Sequence, residues 1–479
     1  MMLKDIKPER VFKYFEEIAS VPRGSGDMQK IADYCQRFAE KIGLNWVRDE
    51  ANNVVIYKDA SKGYEQSEPV ILQGHLDMVC QKEEGLDFDF EKDGIKLFVD
   101  GDYIKARGTT LGADNGIAVA MIMAILEDNN LSHPPIEALF TTDEEIGMIG
   151  AEKLSADLLK GRRMINLDSE EMGVITVSCA GGSDFEMTLP VKREKVNAQK
   201  VSISLYGLKG GHSGVEINAG RVNANILAGR ICAFAEKSAY AQIIDVAGGD
   251  KGNAIPCACK INLAVESADE LILAIESYLK KIKEEISDRE PDFAWDIISY
   301  GEGEYEVLDK IAADKLVFIL NCVLNGVIEM SATIENLVET SLNLGVLKTG
   351  KEEITMLLTL RSNKQSSLEF LEQRLTVFAK GLELKVATSG HYPPWEFKND
   401  SKLQELCKKT YEEMFSCQPI IAAIHAGLEC ATLSAKIEGL DCISIGPDLK
   451  DVHTVNEKLS ISSTETVYKF VKNLLKNMK

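Results

Sequence analysis

The chain has 479 residues, enough for two or three domains and for a core of good size. At 45% hydrophobic and 27% charged residues it is ordinary globular material, and its net charge of −21 argues against nucleic acid or anionic membrane as partner. No run approaches the roughly 18 apolar residues of a membrane span, and the opening MMLKDIKPERVFKYF lacks the apolar stretch of a signal peptide. The eleven cysteines are scattered without a CxxC pair, which argues against a zinc ribbon and suits free thiols in a reducing cytoplasm.

The first part reads as α/β. Helical spacing covers 8–20 and 27–42, with Gly43 as C-cap. NVVIYK (53–58) and PVILQGHLDMV (69–79) read as strands, the second running into polar residues. TLGADNGIAVAMIMAILED (110–128) begins in a glycine-rich turn and continues as an apolar helix; IEALFTT (136–142) and RMINLDS (163–169) are further strands. This alternation predicts a mostly parallel sheet covered on both faces, with ligands at the C-terminal strand ends.

Near 185 the pattern changes. KVSISLYG (200–207) alternates, 221–236 is helical, AIPCACKINLAVES (254–267) alternates again, and 268–286 is an amphipathic helix. A helix at 309–324, strands at 341–347 and 353–362 and a helix at 366–380 repeat the theme, which predicts an internally duplicated α+β domain with an antiparallel sheet in each half. After YPPWEFKND (392–400) come helices at 401–414 and 426–437, a strand at 441–447 and a last helix at 463–478. The domains expected are therefore 1–185 and 392–479, forming one catalytic domain, with 186–391 inserted as a lid.

Chemistry-bearing residues fall just past the strands. In GHLDMV, His75 and Asp77 stand two apart and point the same way, so Asp77 can accept the second ring N–H of a metal-ligating His75. Alone, the pair equally fits a histidine hydrogen-bonded in a loop. Asp114 in GADNG fits a helix N-cap as well as a ligand. In FTTDEEIG three acids follow an apolar strand; one of Glu144 and Glu145 can bind metal while the other stays free as a base, and Asp143 faces solvent or caps a turn. Asp168 follows another strand, with Glu170 and Glu171 as competitors, and His453 lies in GPDLKDVHTVNE. Jointly these support two divalent metals: one through His75 and Asp168, one through Glu145 and His453, and Asp114 between them. Nitrogen and oxygen donors without thiolate suit zinc, with cobalt or manganese as alternatives. Glu144 is then the natural general base.

GHLDMV, GADNG, TTDEEIG, NLDSEE and GPDLKDVH stand in the order found in the di-zinc metallopeptidases that include aminoacylases and carboxypeptidase G-type enzymes, and the chain resembles that family over essentially its whole length. GTTLGADNGIAVA, FTTDEEIGMIGAEKL, CAGG and SLNLGV look like its cytosolic Xaa-His dipeptidases. The resemblance implies a zinc-peptidase-like catalytic domain and a cytoplasmic hydrolase for short unblocked peptides, with Xaa-His favoured. It also implies metal ligation by His75, Asp114, Glu145, Asp168 and His453, Asp77 orienting the histidine, Glu144 as base, and a cis peptide between Asp114 and Asn115. In the lid it implies an oxyanion contact from His212 and substrate contacts from Asn253 and Arg361; in the second catalytic part it implies a substrate contact from the Gly427 loop, where the part of His425 stays open and Glu429 could meet a substrate amine. His133 and His391 join no constellation. In that family simpler lids dimerise and lend their histidine to the partner; the longer, duplicated lid here implies either a homodimer through the lid or a mimic of the partner within one chain, with His212 acting in trans or in cis. Alternative functions on the same scaffold are an N-acyl amino acid amidase and a non-catalytic metal-binding protein.

Overall fold

The computed structural model describes residues 2–479. It divides into two compact units: Met1–Cys179 with Trp395–Ala423 and Leu428–Lys479, and Ala180–Pro394 with Ile424–Gly427. Each has its own apolar core. The tetrapeptide Ile424–Gly427 belongs to the second unit although Trp395–Ala423, part of the first, separates it from 180–394 in the chain.

The first unit is built on an eight-stranded sheet. Its strand order is Asn45–Arg48, Val54–Lys58, Ile136–Thr141, Val70–His75, Arg163–Asn166, Asp441–Ser444, Val174–Cys179, Ile420–Ile424. The four strands from Ile136–Thr141 to Asp441–Ser444 run parallel. Antiparallel pairs flank them, so the sheet is mixed, with its parallel part at the centre. Ile136–Thr141 and Val70–His75 are buried at every residue, as strands covered on both faces must be. The helix Ala113–Glu127 is apolar all round and packs on Val70–His75 and on helix Glu9–Ala19. Register aligns His75 with Thr141, and Gln73 with Asn166, so the loops after these strands open at one edge. A four-stranded sheet of Leu97–Asp100, Tyr103–Ala106, Leu449–Lys450 and Lys458–Ser460 completes the unit's strands.

In the second unit the two antiparallel sheets expected from sequence are one continuous sheet. One half comprises Arg193–Tyr206, helix Ala224–Ala239, Gln242–Gly248, Cys259–Val265, helix Ala268–Ile286 and Ala294–Leu308. The other comprises Gly181–Pro190, helix Lys310–Cys322, Val338–Thr349, Glu353–Ser362, helix Gln365–Gly381 and Lys385–Tyr392. Both follow strand–helix–strand–strand–helix–strand, and in both the fourth strand lies beside the first, then the third, then the second. The halves meet edge to edge through their second strands, at the pair Gly248–Leu347. One half is nested inside the other, because Gly181–Pro190 precedes the whole of the first half in the chain. The expected run 254–267 is broken: Ala254–Ile255 pairs with Gly211–His212, and Cys259–Val265 enters the large sheet.

Candidate active site

The edge where the parallel strands end collects most of the acids and histidines singled out from sequence. His75 closes its strand and is 1% exposed. Its Nε2 lies 3.1 Å from Asp114 Oδ1 and 3.6 Å from Asp168 Oδ1. Its Nδ1 lies 3.2 Å from the Asp77 carbonyl oxygen and 3.4 Å from the Asp77 carboxylate. The second oxygen of Asp114 faces the other histidine: His453 Nε2 is 3.1 Å from Asp114 Oδ2 and 3.0 Å from Glu145 Oε1. Donor atoms of His75, Asp114 and Asp168 therefore converge within reach of one ion, as do those of Asp114, Glu145 and His453, and those of His75, Glu144 and Glu145. Glu170 and Glu171 join none of these groups.

Local structure explains the convergence. Asp77 does more than face His75: its carboxylate accepts the backbone N–H groups of Glu144 (3.0 Å) and Glu145 (3.1 Å) and the Ser25 hydroxyl (2.8 Å). It thus orients the acidic loop that follows a neighbouring strand. Asp143, expected to face solvent or cap a turn, accepts the Gly26 N–H at 2.7 Å in an exposed contact, from a left-handed backbone with φ 53°. The Asp114–Asn115 peptide is cis. Asn115 ties two strand ends, accepting from His75 N (3.2 Å) and donating to Leu167 O (2.9 Å).

Below the cluster runs a buried polar row. Asn166 donates to Gln73 (2.5 Å), Gln73 donates to Glu429 (2.5 Å), and the Thr141 hydroxyl donates to Glu429 (2.7 Å). Glu429, a candidate substrate contact by sequence, is thus engaged through Oε2, while its Oε1 is buried without a partner. Burial pushes its carboxyl up to about 7.

The electrostatics are those of crowded anions. Five carboxylates (Asp77, Asp114, Glu144, Glu145, Asp168) meet two imidazoles. Burial opposes charge on His75, but Asp168, Asp114 and Asp77 outweigh it and hold the imidazole well above its ordinary pKa. Hydrogen bonds to Asp114 and Glu145 raise His453 to about 11. Burial, with Glu429, Glu145 and Asp114 nearby, pushes Glu144 up to about 8 against the pull of His75. Burial also raises Asp168. A donor set of this charge, made only of oxygen and imidazole nitrogen, fits divalent cations of the zinc, cobalt and manganese kind.

The remaining candidates lie in the second unit. His212 Nδ1 accepts the N–H groups of Gly214 (3.1 Å) and Val215 (3.3 Å), which places the neutral ring's proton on Nε2. Asn253 accepts the Ser213 N–H through its carbonyl at 2.9 Å. Arg361 is 6% exposed and donates to the Tyr392 hydroxyl at 2.9 Å. Burial, followed by the Arg361 charge, lowers His212, and the same causes lower His425 to about 3. His425 is a neutral bridge between the Ser341 hydroxyl (2.7 Å) and Asn363 Oδ1 (3.2 Å). Gly427 lies in the loop between strand Ile420–Ile424 and helix Glu429–Lys436. His391 is exposed beside Glu372, and His133 is buried against the Pro134 carbonyl.

The model of peptidase family M20/M25/M40 matches residues 71–477. The chain belongs to this family. It is 37% identical over 480 residues to the cytosol non-specific dipeptidase of Escherichia coli (strain K12), covering 99% of both chains. The peptidase also superposes on the crystal structure of aminoacylhistidine dipeptidase from Vibrio alginolyticus with a TM-score of 0.88 and 35% identity, covering 99% of this chain and 98% of that one. Aminopeptidase PepT from Bacillus cereus, at TM-score 0.57 and 16% identity, shares the fold.

Two residues that sequence reading passed over stand against the Asp114 loop: Arg23, in VPRGSG, and Glu457, four residues past His453. Their partners are mostly backbone groups, which leave no mark on residue type.

Proposed function

We propose that this peptidase is a di-metal dipeptidase that hydrolyses the peptide bond of unblocked dipeptides, with Xaa-His substrates favoured. The observation that carries this reading is Asp114, which presents one oxygen to each of two imidazoles in a chain of this family. His75, Asp114 and Asp168 would hold one divalent cation, and Asp114, Glu145 and His453 a second; zinc is our assignment, and cobalt or manganese suits the same donors. When bound, such a pair polarises the scissile carbonyl and acidifies a water.

The chain's own groups do the rest. Glu144 would stay ionised beside the charge of the bound cations; its carboxylate takes the proton of the attacking water and delivers it to the amide nitrogen as the C–N bond breaks. Asp77 holds both the His75 ring and the backbone of Glu144. His212 offers Nε2–H to the oxygen that becomes negative. Arg361 is assigned the substrate carboxylate, for which a guanidinium fork is matched; Asn253 and Gly427 supply further contacts. The names of the relatives support a dipeptide substrate, and that of the Escherichia coli relative supports a cytoplasmic setting. A homodimer through the second unit is supported by Phe318, Phe370 and Val377, exposed on helices Lys310–Cys322 and Gln365–Gly381; light scattering in solution tests it.

The deciding experiment compares Ala-His, β-Ala-His, Gly-Gly and N-acetyl-Ala-His with chelated protein and with protein reloaded with zinc. Zinc-restored cleavage of the free dipeptides, sparing the acetylated one, is expected. Cleavage of the acetylated substrate alone would make the protein an N-acyl amino acid amidase. No cleavage of any member by metal-loaded protein would leave a metal-binding protein.

A further inference from the structure

Arg23 and Glu457 bring opposite charges into the interior against one short loop, Leu111–Asp114. Glu457 is 3% exposed. Its carboxylate accepts four consecutive backbone N–H groups: Oε2 from Leu111 (2.7 Å) and Gly112 (2.9 Å), Oε1 from Ala113 (2.8 Å) and Asp114 (3.3 Å). These four amides lead into helix Ala113–Glu127, whose first turn is broken by the non-helical dihedrals of Asp114 and Asn115. Consecutive N–H groups turned toward one point favour an anion, and the chain supplies its own.

Arg23 is 2% exposed and works on the carbonyls. Its Nη1 donates to the oxygens of Leu76 (3.0 Å) and Asp77 (3.1 Å), and its Nη2 donates to that of Gly112. One guanidinium therefore joins the turn that carries His75 and Asp77 to the loop that carries Asp114. The glycines make room for it. A Cβ on Gly112 would collide with Nη2, and one on Gly116 would lie 2.7 Å from it. Buried charges are costly unless several hydrogen bonds satisfy them; Glu457 accepts four, and Arg23 donates three while its Nε stays buried without a partner.

We propose that Arg23 and Glu457 form a clamp that fixes the backbone on both sides of Asp114, so that its two oxygens stay divided between the His75 and His453 sides. They are positioning residues and not ligands. The segment 453–457 thereby delivers both a ligand, His453, and half of the clamp. This inference rests on the metal-centre reading above. Replacing the Glu457 carboxylate by an amide turns an NH2 group toward two of the four N–H groups, donor against donor. Replacing the Arg23 guanidinium by an ammonium keeps the charge but loses the planar fork over three carbonyls.

The test uses full-length wild type, Glu457→Gln and Arg23→Lys, each chelated and then titrated with cobalt. The readouts are the binding isotherm, the cobalt visible absorption, amide hydrogen exchange of the metal-free protein, and kcat and KM. We expect folded variants with faster exchange confined to 111–114, cobalt bound about 10- to 100-fold more weakly, a changed cobalt spectrum, and a fall in kcat with KM little changed. If Glu457→Gln does not fold, Arg23→Lys decides. Wild-type affinity and spectrum in the variants would overturn the clamp while leaving the metal centre standing. A wild type that takes up no cobalt would overturn the metal centre, and the clamp with it. Failure of both variants to fold would overturn the clamp by making the pair general scaffolding.

Discussion

Asp77 illustrates what one buried carboxylate can organise. It holds the imidazole of His75 and the backbone of Glu144, so the proposed base stands where a residue from another strand puts it. Glu144→Gln should keep both cations, measured by metal analysis, and lower kcat by about 10²- to 10⁴-fold. Full activity in that variant would remove Glu144 as the base. His133 tests a different part of the electrostatics. It is 2% exposed and donates from Nδ1 to Pro134 O at 2.7 Å. Burial, reinforced by the Lys58 charge, lowers its pKa below the ordinary histidine value. The folded chain then binds that proton less readily than the unfolded one. The stability it contributes is complete above about pH 6.5 and is lost as pH falls through the lower folded value. Thermal melts of metal-free protein between pH 7 and 5 should therefore fall less steeply for His133→Gln than for wild type.

Among the elements, the loop before helix Ala113–Glu127 is held from both sides. Gly112 has φ 66°, and a side chain there would meet Arg23 and Met78. Gly43 has a similar φ of 71° at the end of helix Gln29–Ile42, with open space around it. Gly112→Ala should destabilise the protein by more than about 1 kcal/mol and by clearly more than Gly43→Ala, as read in urea melts. Equal losses would mean that backbone conformation, and not the packing around Arg23, sets the requirement. Gly43 was legible as a helix end because a glycine after a periodic apolar run has that local meaning. The crowding around Gly112 and Gly116 was not, since Arg23 lies far away in the chain.

At the scale of the molecule, cations that bind the folded chain and not the unfolded one should stabilise it. Zinc in hundredfold excess over its dissociation constant should add about 2.7 kcal/mol, seen as a higher Tm than in chelator. An unchanged Tm would count against the proposed metal centre. The nested duplication of the second unit also belongs to this scale. Gly181–Pro190 pairs with Glu353–Ser362 and Lys385–Tyr392, strands that follow after the entire first half. No local pattern announces that pairing. Strand Ala294–Leu308 escaped notice for a related reason: it is an edge strand with mostly exposed residues, so it carries no clear apolar alternation.

The sequence by itself determined the elements of the first unit's centre and the side chains that follow its strands. A strand buried on both faces must be a run of apolar residues, so its end is visible as the point where polar residues begin. His75 closes such a strand, Asp77, Glu144, Glu145 and Asp168 follow such ends, and the structure brings them together with Asp114 and His453. Only the tertiary structure decided how the two oxygens of Asp114 are shared, that Asp77 grips the acidic loop, that Glu429 stands in a buried polar row, and that Arg23 and Glu457 hold the loop between them. Those arrangements depend on backbone amides and carbonyls, which every residue carries alike, and on contacts between segments as much as 356 residues apart.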